Sequence, residues 1–103
     1  MVPLSILNKI MNKQQREVLL IAQEECAEVT QAISKIFRFG IDGSYKEITN
    51  RERLTEEAGD LHCMIELLVE SGLINRKDLL HASGTKRHKL VKWSNIFDKE
   101  EAF

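Results

Sequence analysis

Hydrophobic residues recur every three or four positions along most of this 103-residue chain, which is the spacing of amphipathic helices. No segment shows the sustained alternation of apolar and polar residues that is typical of strands. The pattern therefore predicts an all-α fold, a small antiparallel bundle of about four helices.

Local signals give the bounds of the first helices. A helical turn or two is expected over residues 3–11. A long helix should begin near Asn12, because Asn12 and Gln15 have the spacing of a capping box. It should end at about Phe39, since Gly40 is a natural helix terminator.

The two remaining helices follow a glycine-containing loop over residues 40–49. Thr49 and Glu52 form a second capping-box pattern, so a helix is predicted from Thr49 or the next residue to about residue 71. Asn75 is a suitable N-cap for a third helix that reaches Trp93 or beyond. Gly84 could kink or break that helix, and the last residues are expected to fray.

Composition limits the class of protein. Fifteen basic and sixteen acidic residues give a net charge of −1, which excludes nucleic-acid binding by bulk charge alone. The hydrophobic fraction of 43% is that of a globular chain, and no apolar run is long enough to cross a membrane. We expect one domain over residues 1–103 without a secretory signal, and oligomerisation, because so small a domain buries a modest core.

Two cysteines, Cys26 and Cys63, are too few for a disulfide scaffold. They are expected to serve as small apolar residues in a reducing compartment, which indicates a cytoplasmic location.

The first long helix carries an acid in the middle of its apolar stripe. Taking about 100° per residue, Val18, Ala32 and Ile36 all fall within about 20° of Glu25. Glu28 lies at the edge of the same stripe, about 60° away.

The second helix repeats this arrangement with the same sense of rotation. Met64 and Leu68 fall within about 20° of Glu57. Asp60 lies about 60° from Glu57, in the same direction of rotation as Glu28 from Glu25. Four carboxylates on facing apolar stripes would repel one another, and neither stripe provides a lysine to neutralise them. Oxygen-only ligands favour a hard divalent cation, Mg²⁺ first, with Mn²⁺ as a possible substitute. The alternative interpretation is that all four acids are ordinary solvated groups on the surfaces of amphipathic helices.

The third helix brings positive charge. Lys86 and Lys89 interrupt its apolar columns, where their stems could extend past a core or their ammonium groups could bind a phosphate. Lys35 and Arg38, near the end of the first long helix, are weaker candidates for the same role. Trp93 could pack in the core or contact a base.

At the acidic positions the chain resembles the MazG-like all-α nucleoside triphosphate pyrophosphohydrolases, in particular their short single-domain, often phage-encoded members. The segments EECAE, Glu24 to Glu28, and EEAGD, Glu56 to Asp60, match the family pattern E-E-x-x-E followed by E-x-x-D. The resemblance covers residues 15–97. Either motif alone is weak evidence, and the pair is specific.

The resemblance implies that Glu25, Glu28, Glu57 and Asp60 bind Mg²⁺, and that Glu24 lies behind them or activates water. It also implies a dimer or tetramer with sites formed between subunits, and host cytoplasm as the location if the chain is phage-encoded. The expected reaction converts a nucleoside or deoxynucleoside triphosphate to the monophosphate and pyrophosphate, which shapes the nucleotide pool.

The identity of the base is open. Pyrimidine-specific members use stacking aromatic residues where this chain has Lys35 and Met64. This favours a purine deoxynucleotide such as dGTP, with Met64 and Trp93 as further substrate contacts.

Three other functions stay open. The segment EAGDLH is similar to the phosphoribosyl-ATP pyrophosphohydrolases. The basic last helix is compatible with a small nucleic-acid-binding module, and a metal-stabilised oligomer without activity is also compatible with the acids. That basic helix carries Arg76, Lys77, Lys86, Arg87, Lys89 and Lys92.

Overall fold

The computed structural model describes residues 1–3, 5–6 and 10–98. The described part contains three helices and one short hairpin, so the predicted all-α class is confirmed. Within the predicted helical segment over residues 3–11, residues 4 and 7–9 lie outside the described residues, and residues 5, 6 and 10 are helical. A fourth helix stays a prediction. The elements are α1 (Lys13–Phe39), β1 (Ser44–Tyr45), β2 (Ile48–Thr49), α2 (Asn50–Glu70) and α3 (Arg76–Trp93).

Both predicted capping boxes form. The Asn12 side-chain oxygen accepts from the backbone N–H of Gln15 at 2.7 Å, and the Gln15 side chain accepts from the Asn12 N–H at 3.1 Å. Thr49 and Glu52 make the same reciprocal pair at the start of α2. Each box satisfies backbone donors that a helix start leaves without partners, which explains why the sequence located these ends within one residue.

Helices α1 and α2 pack as an antiparallel pair. The Gln15 side-chain amide donates to the carbonyl oxygen of Ser71 at 2.8 Å, which joins the start of α1 to the end of α2. Val18 and Ala22 of α1 pack with Met64 of α2 in a small core. The partly buried residues around this core are Ile21, Leu67, Leu68 and Leu73.

The connection between α1 and α2 contains structure that the sequence did not predict. β1 and β2 pair antiparallel, with Ser44 opposite Thr49 and Tyr45 opposite Ile48. The two turn residues, Lys46 and Glu47, have φ of 54° and 67°. Two positive φ angles are typical of a tight hairpin turn that usually contains Asn or Gly, so Lys-Glu gave no signal.

The hairpin is anchored by side chains from the start of α2. The Asn50 side-chain amide donates to the Gly40 carbonyl at 2.9 Å. Arg51 donates to both carboxylate oxygens of Asp42, at 3.1 and 3.3 Å. These bonds hold the hairpin against the ends of both helices.

Contacts within the chain define two compact units, Met1–Leu73 and Ile74–Phe103. The second unit contains α3, which runs through Gly84 without interruption and is capped by Asn75 as predicted. None of the residues of α3 is buried. The single domain expected over residues 1–103 stays a prediction. No helix among the described residues is both long and apolar enough to span a bilayer.

The exposure of both cysteines contradicts the expectation that they serve as small apolar residues. Cys26 and Cys63 are free thiols, as predicted, but both are exposed. Cys26 lies about 100° round the helix from Glu25, and its exposure shows that it does not pack against α2. Neither thiol is a core residue.

We predict opposite effects of alanine at two glycines. A Cβ at Gly43 would overlap the backbone carbonyl oxygen of Phe39, whereas a Cβ at Gly59, within α2, would meet nothing within 4 Å. Gly43→Ala should therefore lower the free energy of unfolding, and Gly59→Ala should raise it by about 0.5–1 kcal/mol. Urea unfolding followed by circular dichroism measures both, and a loss of stability in Gly59→Ala would contradict the space seen around it.

Candidate metal centre

Three carboxylates from two helices converge on the face between α1 and α2. One carboxylate oxygen each from Glu25, Glu57 and Asp60 lies within 4.8 Å of the other two. Glu25 and Glu57 are half-buried and Asp60 is exposed. The antiparallel packing of α1 on α2 produces this cluster, because it places the centre of one apolar stripe opposite the centre of the other.

Electrostatics in the cluster disfavour the charged forms of Glu25 and Glu57. Partial burial, followed by the charges of Asp60, Glu28 and Glu24, raises the pKa of Glu25 above its ordinary value of 4.5. Partial burial also raises the pKa of Glu57, and the charges of Glu28 and Asp60 add to that rise. Neighbouring negative charges raise the pKa values of Glu25 and Glu57, whereas a bound cation would lower them.

The donor set fits a hard divalent cation. Its members offer carboxylate oxygens only, and no histidine or cysteine belongs to the three-residue group. Mg²⁺ and Mn²⁺ are bound by such ligands, usually through one or two carboxylates with water and phosphate oxygens completing the shell. Glu25, Glu57 and Asp60 would hold the ion.

The two remaining predicted acids lie around this group. Glu28 is exposed and is not one of the three convergent residues, yet its charge is the largest charge effect on the pKa of Glu57. Glu24 is exposed on α1, one residue before Glu25. Their roles as ligand and as water-activating group stay predictions.

A cavity of about 330 Å³ lies where α1, the hairpin and α2 meet. It is lined by Lys35, which was among the predicted substrate contacts, and by residues that sequence reasoning missed. Arg53 is the most important of these, and its position one helical turn before Glu57 was the signal that could have found it. The other lining residues that bear on chemistry are Phe39, Tyr45 and Asn50.

The other predicted substrate contacts occupy different environments. Met64 is a core residue, 7% exposed and packed with Val18, so the structure favours a packing role for it. The Arg38 guanidinium lies 5.2 Å from the centre of the Phe39 ring. Lys86, Lys89 and Trp93 are exposed on α3, and Trp93, at 77%, is not packed into a core. Contact of these three with a substrate stays a prediction.

We expect Mg²⁺ to stabilise the wild-type protein through the cluster. Binding to the folded state alone should raise the free energy of unfolding by about 1.4–2.7 kcal/mol at ten- to hundredfold excess over the dissociation constant. Glu57→Gln should abolish this gain, whereas Glu56→Gln removes a neighbouring charge outside the cluster and should retain it. Thermal melts with Mg²⁺ or EDTA measure the effect, and equal gains in all three proteins would refute the site.

We also expect a pH dependence when no metal is present. The raised folded-state pKa of Glu57 means that folding favours the protonated carboxyl. The resulting contribution of Glu57 to the free energy of unfolding is fully present below about pH 4.5 and is lost as the pH rises through the folded-state pKa. In EDTA, Glu57→Gln should be more stable than the wild type at pH 7, and this advantage should vanish toward pH 4.5. Urea titrations at several pH values test this, and a wild type that is the more stable at pH 7 would contradict it.

No protein-family model, curated protein or solved structure matches the chain. The resemblance to the MazG-like enzymes stays a prediction from the paired acidic motifs.

Proposed function

We propose that the protein is a Mg²⁺-dependent nucleoside triphosphate pyrophosphohydrolase, which converts a nucleoside or deoxynucleoside triphosphate to the monophosphate and pyrophosphate. The observation that carries this proposal is the convergence of Glu25, Glu57 and Asp60 within 4.8 Å, from the two helices that bear the paired motifs. Divalent ions held by carboxylates recur in enzymes that catalyse phosphoryl transfer.

A bound Mg²⁺ ion would lower the pKa of the attacking water and neutralise charge on the phosphate oxygens. The chain's own residues position the reactants. The water oxygen forms a bond to the α-phosphorus, while the bond from that phosphorus to the α,β-bridging oxygen breaks and its electron pair leaves with pyrophosphate. Glu24 is the proposed acceptor of the water proton.

Positive side chains would balance the charge of the phosphates. Lys86 and Lys89 are proposed to stabilise the departing pyrophosphate.

A homo-oligomer, dimer or tetramer, is part of the proposal. Four buried hydrophobic residues form the core of the described chain, namely Val18, Ala22, Ala32 and Met64, and none of its large side chains is fully buried. So small a core supports association with further copies.

We predict that the wild-type protein with Mg²⁺ releases monophosphate and pyrophosphate, and no orthophosphate, from at least one common nucleoside triphosphate or from dUTP. EDTA should abolish the reaction, and Glu57→Gln should lower kcat/KM by at least a hundredfold because it removes a central ligand. Anion-exchange chromatography with a pyrophosphate assay measures the products, and circular dichroism checks the fold of the variant.

Glu56→Gln is the matched control, one residue earlier on α2 and outside the cluster, and it should retain activity within about threefold. Turnover of phosphoribosyl-ATP alone would place the protein in that alternative branch. Hydrolysis of none of these substrates would refute the proposal and favour the nucleic-acid-binding alternative, which binding of an RNA or DNA duplex would then test.

A further inference from the structure

The cavity between the end of α1 and the start of α2 has a marked excess of hydrogen-bond donors. Lys35 and Arg53 carry only donors on their side chains. Among the described residues, neither forms an ion pair with a carboxylate. A ligand group that meets these two side chains must therefore offer acceptor atoms.

Asn50 supplies an oriented acceptor in the same cavity. Its side-chain nitrogen donates to the Gly40 carbonyl oxygen at 2.9 Å, which fixes the orientation of the carboxamide. The carboxamide oxygen is the complementary acceptor. Two cationic donors and one amide acceptor thus line one cavity.

Aromatic rings provide an apolar surface there. Phe39 and Tyr45 both line the cavity, and their side chains are 67% and 69% exposed. Exposed rings beside polar groups suit a flat heterocycle, since every base has a face that can stack. The volume of about 330 Å³ lies within the range of small-molecule sites.

The cavity and the carboxylate cluster lie on the same two helices, α1 and α2. Arg53 precedes Glu57 by four residues, about 6 Å along α2. Lys35 follows Glu25 by ten residues, about 15 Å along α1. A nucleotide with its phosphates at the carboxylates would extend along the same pair of helices to this cavity.

We propose that this cavity receives the base of the substrate and selects bases whose pairing edge carries a ring N–H next to a carbonyl oxygen, namely guanine, hypoxanthine, thymine and uracil, over adenine and cytosine, which carry an unprotonated ring nitrogen next to an amino group. Arg53 and Lys35 donate to the carbonyl oxygen, as arginine and lysine side chains do to the carbonyl oxygen of guanine in nucleic-acid recognition. The Asn50 carboxamide oxygen accepts from the neighbouring ring N–H. The amino group of adenine or cytosine would face the two cations instead. This inference rests on the proposed function.

The test compares kcat/KM for dGTP, dITP, dTTP, dUTP, dATP and dCTP. The wild type should prefer the four oxo-base substrates at least tenfold. Arg53→Met and Lys35→Met should each remove most of that preference, while dATP turnover changes less than about threefold. Lys13→Met, which removes an exposed positive charge at the opposite end of α1 from Lys35, should leave the preference unchanged.

If Arg53→Met fails to fold, Arg53→Lys provides a second variant, which keeps the positive charge. It should show an intermediate preference because the guanidinium fork of donors is lost. A uniform loss for all six substrates in the folded variants would mean that the cations bind phosphate, and it would overturn the assignment. Hydrolysis without a preference in the wild type would also overturn it and would leave the proposed function intact.

A second measurement does not depend on catalysis. Calorimetric titration of dGMP, dTMP, dAMP and dCMP into the Mg²⁺-loaded protein should show tighter binding of the first two, and Arg53→Met should abolish the difference. If no triphosphate is hydrolysed, this result would still support the cavity as a base site while the proposed function fails. Equal binding of all four, or none, would overturn the inference.

Discussion

The packing of Val18 and Ala22 against Met64 sets the register of two antiparallel helices, and every feature of the candidate site depends on that register. A shift of one helical turn would move Glu57 and Asp60 by about 5 Å past Glu25. The hydrogen bond from Gln15 to Ser71 closes one end of the pair, and the anchored hairpin closes the other. A core of few residues can therefore hold a precise cluster.

The carboxylate cluster is expected to lower the stability of the metal-free protein. Carboxylates in the middle of apolar stripes displace residues that would otherwise contribute to the core, and their pKa values rise because burial and mutual repulsion disfavour ionisation. Such strain is typical of sites that are completed by a ligand. A divalent cation would relieve the repulsion and add a link between α1 and α2, so binding and stability are expected to be coupled.

The sequence predicted the helices well because their ends carry local chemistry. Two capping boxes and Gly40 located α1 and α2, and helical periodicity alone placed Glu25 and Glu57 at the centres of their stripes. The hairpin was missed because its turn residues, Lys46 and Glu47, adopt positive φ without the usual Asn or Gly.

Other features depend on tertiary contacts that no local pattern records. The cavity forms where two helix ends and a hairpin meet. Arg53 is a candidate binding residue because it lines this cavity with Tyr45 and Lys35, which are distant from it in sequence. Periodicity placed Met64 on the same stripe as Glu57 but could not distinguish a substrate contact from core packing. The exposure of Cys26 similarly reflects which side of α1 faces α2.

The most direct measurement is a titration of Mn²⁺ into the metal-free protein, followed by the loss of the free-ion signal in electron paramagnetic resonance. We predict saturable binding that excess Mg²⁺ competes away, that Glu57→Gln and Glu25→Gln abolish, and that Glu56→Gln retains. Binding that is equally strong in all four proteins, or no binding in the wild type, would contradict the central claim that these carboxylates form a divalent-cation site.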